Sequence, residues 1–111
     1  MFLRTTLATD WIDPAKEKWV FKMLRRLLPD PNPGYGGKMH LVEAWYIEFG
    51  DDGYPWREIG VDANGSPVLA GPSSRDYGFW LDTNMTQSDF DGVEVSQEEF
   101  EALWSRANVD S

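Results

Sequence analysis

The chain has 111 residues, ten Lys and Arg against nineteen Asp and Glu, a formal charge of −9, a single His and no Cys. At 41% hydrophobic, 26% charged and 14% aromatic it falls outside the disordered and fibrous classes. The missing cysteine excludes a thiol nucleophile, a thiolate metal site and a disulfide framework, and no apolar run reaches the roughly 20 residues that span a bilayer.

A chain of this length buries roughly two-thirds of its unfolded surface without a covalent staple, so residues 1–111 are read as one domain. The opening Met1–Ala8 is too short and too broken by polar residues for a secretory signal, and the expectation is a cytoplasmic protein. Residues 2–8 are a candidate strand. Asp13-Pro14 then opens a helix, with Asp as N-cap and Pro at the first helical position, where its missing N–H costs nothing. Apolar residues at Trp19, Val20, Met23, Leu24, Leu27 and Leu28 follow the helical period. Lys18, Lys22, Arg25 and Arg26 fall on the opposite face as a basic stripe. Pro29 ends the helix, and the three prolines and three glycines from Pro29 to Gly37 predict a loop.

From Met39 the period changes to two. Met39, Leu41, Trp45, Ile47 and Phe49 alternate with His40, Ala44, Tyr46 and Glu48, predicting a strand. Asp52-Gly53 closes it, Tyr54 to Val61 forms the next, and Asn64-Gly65 closes that one; both dipeptides favour tight hairpin turns. Pro67–Ala70 and Tyr77–Asp82 complete the predicted meander, and Thr83–Val95 reads as polar and irregular. Ser96-Gln97-Glu98-Glu99 is a capping box, with Phe100, Leu103, Trp104 and Ala107 as the apolar stripe of the helix behind it. The predicted fold is α+β. It is a four-stranded antiparallel meander, five-stranded if residues 2–8 join, with an N-terminal and a C-terminal helix packed on one face and the other face open.

The charge is unevenly placed. Residues 1–38 hold seven basic and four acidic residues, net +3, whereas residues 39–111 hold three basic and fifteen acidic, net −12. A field of that sign repels nucleic acid and attracts basic partners. The basic stripe reads as a solvated helix face or as the partner of the protein's own acids.

Catalytic chemistry finds little support. His40 stands alone, and the serines occupy turn and cap contexts where their hydroxyls bond backbone. The stretch from Asp82 begins like a calcium loop but has Gln87 where glycine is needed and Val93 where glutamate is needed. Gly34-Tyr35-Gly36-Gly37 precedes a strand, the reverse of the strand, loop and helix order that cradles phosphate. No catalytic residue, metal site or cofactor is assigned, and neither nucleic acid nor membrane is expected as a partner. The remaining signal is a group of acidic and aromatic residues around the second strand. Asp51, Asp52, Tyr54, Trp56, Glu58 and Asp62 are the candidate partner-binding residues, since Trp and Tyr ringed by carboxylates suit a hot spot for a basic surface.

The Trp45-Tyr46-Ile47-Glu48-Phe49 strand ending in Asp51-Asp52-Gly53, the Arg57-Glu58-Ile59-Gly60 strand, Asn64-Gly65, and Ser96-x-Glu98-Glu99-Phe100-Glu101-x-x-Trp104 together resemble small acidic bacterial proteins of the toxin-immunity kind, over about half of the chain. The resemblance implies a non-enzymatic inhibitor and carries over no binding residue. The leading expectation is therefore a protein that masks a basic partner, such as a toxin nuclease. The alternatives are a small metal-assisted hydrolase using Asp and Glu ligands, or a self-associating structural module.

Overall fold

β-Branched and aromatic residues in alternation, punctuated by Asp-Gly and Asn-Gly, build an antiparallel sheet. The computed structural model describes residues 1–7, 9, 38–73, 77–81 and 83–107. The helix expected at 13–28, its basic stripe and the loop from Pro29 to Gly37 lie outside the described residues. The α+β class holds. The strands are β1 (Phe2–Thr5), β2 (Ala44–Phe49), β3 (Pro55–Val61), β4 (Pro67–Gly71) and β5 (Val93–Val95), followed by helix α1 (Gln97–Arg106). They form one five-stranded sheet in the order β4-β3-β2-β1-β5, antiparallel at every pairing.

The candidate strand at residues 2–8 is present as β1, paired on one side with β2 and on the other with β5. Three expectations are corrected. First, β2 starts at Ala44, and Met39–Leu41 is a 3-10 turn. The apolar alternation breaks at Val42 and Glu43, where Val42 rather than its neighbour is buried. Second, the described part of Tyr77–Asp82, residues 77–81, is a turn and not a strand. Third, Val93–Val95, read as irregular, supplies the outer strand beside β1.

Both predicted hairpin turns are present. Gly53 and Gly65 have φ of 82° and 76°, a region open to glycine and costly for residues with a Cβ. Ser96 caps α1, its hydroxyl accepting from the Glu99 N–H at 3.1 Å.

The alternation of β2 sorts the core into two layers. Trp45, Ile47 and Phe49 point to one face with Leu3 and Leu69, and Trp80, Phe79, Met85 and Phe90 from the segment before β5 pack over them. Ala44 points to the opposite face with Ile59 and Val61, covered by Phe100 and Leu103 of α1. The expected open face is thus covered as well, by an aromatic loop instead of a helix. Trp80 sits edge-on to Trp45, Phe79 and Phe90, with centroids 6.1, 4.8 and 4.8 Å away, an arrangement favoured by the ring quadrupoles. Among the described residues no helix is long and apolar enough to cross a membrane.

Candidate functional site

The β2–β3 hairpin gathers four of the six sequence-predicted residues at one end of the sheet. Phe49 ends β2 and Pro55 begins β3, so Asp51, Asp52 and Tyr54 lie in the connection and Trp56 immediately after it. The turn is set by Gly53 N–H donating to the Gly50 carbonyl and by the Tyr54 N–H donating to Asp52 Oδ1, each at 3.0 Å. Gln87 N–H donates to the Gly53 carbonyl at 2.8 Å, which ties the 3-10 turn Gln87–Asp89 to the hairpin. Asp51 and Asp52 are exposed, and Tyr54 and Trp56 are 45% and 54% exposed. Large aromatic side chains left that open beside carboxylates are the unusual observation on this surface.

The other two residues are placed elsewhere. Asp62 lies beyond the far end of β3, about 20 Å of strand away, where its Oδ1 accepts from the Asn64 and Ser66 N–H groups and shapes the next turn. Glu58 shares the strand parity of Trp56 but is fully buried. Its carboxylate accepts from the N–H groups of Phe79, Trp80 and Leu81 at 2.7, 2.7 and 3.2 Å. Gly78, with φ 124°, makes that approach feasible, since a Cβ there would stand 3.0 Å from Glu58 Oε1. Glu58 therefore fastens the aromatic loop to the sheet and offers nothing to the surface.

Arg57, on the α1 face, was not singled out by sequence reasoning and organises a second set of charges. Its Nε donates to Glu48 at 2.6 Å, and its two terminal nitrogens reach both oxygens of Glu101. The guanidinium carbon lies 4.9 Å from the ring centroids of both Phe100 and Trp104, within cation–π range. The hydrogen bond to Glu101, reinforced by Glu48, holds the guanidinium above its ordinary pKa against the opposing effect of burial. The same bond to Arg57 holds the Glu101 carboxyl below the usual glutamate range. The folded pKa of Glu101 is thus the lower one, so its stabilising contribution is complete above the unstructured value of 4.5 and is lost as pH falls through the folded value. Melting temperatures measured from pH 6 to pH 3 should show Glu101→Gln less stable than the parent at pH 6, with the gap closing on acidification. A constant gap would mean that the pair does not titrate with folding.

No described cation pairs with Asp51 or Asp52, and Arg57 is consumed by Glu48 and Glu101. The hairpin end therefore presents, among the described residues, negative charge with no bonded cation. Among the described residues, no three His, Cys, Asp or Glu side chains assemble into a group that could hold a metal ion. Compared with protein-family models, curated proteins and solved structures, the chain matches none.

Proposed function

We propose that the protein is a non-enzymatic binding protein that masks a basic protein partner through the hairpin end of its sheet, in the manner of an immunity protein acting on a toxin nuclease. The observation that carries this reading is the exposure of Tyr54 and Trp56 just after the exposed Asp51 and Asp52 in the same hairpin, with no described cation bonded to either carboxylate. Half-exposed aromatics provide the desolvated centre of a hot spot, while the surrounding charge accelerates encounter with a basic surface. The net −12 of residues 39–111 extends that charge beyond the hairpin. Asp62 contributes only to the wider field, and Glu58 is structural.

The test is affinity capture from the native host with the parent chain and an Asp51→Asn/Asp52→Asn variant as baits, at about 50 and about 500 mM salt, which spans strong and weak screening. The expected result is a protein of high pI retained by the parent at low salt, reduced at high salt, and lost with the variant. Recovery of no basic protein, or retention that ignores both salt and the substitutions, overturns the reading.

A further inference from the structure

Among the described tryptophans, Trp45, Trp80 and Trp104 each lie against another aromatic ring, whereas Trp56 makes no ring-stacking or cation–π contact with any described residue. Its position is nevertheless defined. The indole is seated so closely over Gly50 that a Cβ there would overlap its Cε2, Nε1 and Cζ2 atoms. Gly50 is not among the positive-φ glycines, so the backbone does not require glycine at this position; the space is required by the indole. The rest of the ring is open, at 54% exposure, and Tyr54 beside it is 45% exposed. An exposed indole with a glycine seat is a held platform, unlike a surface tryptophan that merely lacks cover.

The same chain shows what such a surface takes up. Arg57 is bound where two rings and two carboxylates converge, with its guanidinium over Phe100 and Trp104 and bonded to Glu48 and Glu101. At the hairpin end the open ring is Trp56, seated on Gly50, the carboxylates of Asp51 and Asp52 lie in the turn that follows Gly50, and no described cation is bonded to them. A guanidinium is planar, weakly hydrated and able to stack on a ring while donating to carboxylates, properties a lysine ammonium does not combine.

Resting on the binding reading above, we infer that Trp56, held by its seat on Gly50, is a platform for an arginine side chain of the basic partner, with Asp51 and Asp52 as its counter-charges. Gly50 is then a positioning residue and Trp56 the specificity determinant, favouring arginine over lysine.

The full chain titrated with an octa-arginine and an octa-lysine peptide at low salt tests this. The expected result is about threefold or greater preference for the arginine peptide. The indole N–H resonance of Trp56, identified by its disappearance in Trp56→Ala, should shift on addition. Gly50→Ala and Trp56→Ala should each abolish the preference while leaving circular dichroism unchanged, and Asp51→Asn/Asp52→Asn should weaken both peptides alike. Equal affinity for the two peptides, or a preference that survives both Gly50→Ala and Trp56→Ala, overturns the inference. If the Asp variant still loses a native basic partner in that event, the broader reading stands without it. Should Gly50→Ala perturb the fold, Trp56→Ala alone decides the outcome.

Discussion

Glu58→Ala is expected to destabilise the protein by about 3–5 kcal/mol, because it takes a buried acceptor from three backbone N–H groups at once. The donors are those of Phe79, Trp80 and Leu81, and the Phe79 and Trp80 side chains form part of the layer over Trp45 and its neighbours. The loss should begin with that layer. Proteolysis between residues 77 and 90 should accelerate ahead of global unfolding, and urea unfolding should give the total. Glu58→Gln retains one carbonyl oxygen but brings an NH₂ group toward N–H donors, so its expected cost is smaller, about 2 kcal/mol. A loss below about 1 kcal/mol for Glu58→Ala would show that the loop is held by its rings alone and that the carboxylate is incidental.

Phe100→Ala should have an effect of similar size by a different route. The ring is fully buried and packs on Phe2 at 5.1 Å and on Trp104 at 6.2 Å, with the Arg57 guanidinium over it. Truncating such a ring costs about 3–5 kcal/mol in lost burial and residual cavity. Because α1 has only ten residues, it is too short to persist on propensity and capping alone. Amide exchange in residues 97–106 should therefore rise more than in β2 or β3, and the pH dependence assigned to Glu101 should diminish, since Arg57 loses one wall of its site. Uniform destabilisation with α1 protection unchanged would show that the helix is held chiefly by Leu103 and the Arg57 ion pairs.

Turns and caps were the most legible part of the fold. Asp52-Gly53, Asn64-Gly65 and Ser96 act through local chemistry that is complete within a few residues, and each does what its sequence predicts. The segment Tyr77–Asp82 misleads for a physical reason. Tyr77, Phe79 and Leu81 alternate like a strand, yet the N–H groups of Phe79, Trp80 and Leu81 find their acceptor in a distant carboxylate instead of a neighbouring strand. Gly78 was the available clue. The three residues of β5 carry no pattern long enough to detect and form because β1 has an edge to be paired. The grouping of Asp51, Asp52, Tyr54 and Trp56 at one hairpin was legible for the same reason as its turn, since the four are close in sequence. Parity correctly placed Glu58 on the side of Trp56, but no strand pattern reports that a loop more than twenty residues later covers one and leaves the other exposed.

The strand order has a consequence for how the chain reaches this structure. β1 comes first in sequence but lies between β2 and β5, so Phe2 pairs with Glu48 on one side and with Val95 on the other. The partner in β2 precedes the rest of the meander in the chain, whereas the partner in β5 follows all of it. Local order, the two hairpin turns and the β2–β4 meander, can form early; the first strand completes its pairing only when β5 docks, the contact that closes the largest loop. Any lesion that delays residues 93–95 therefore leaves an unpaired edge on the first strand, open to pairing with another chain.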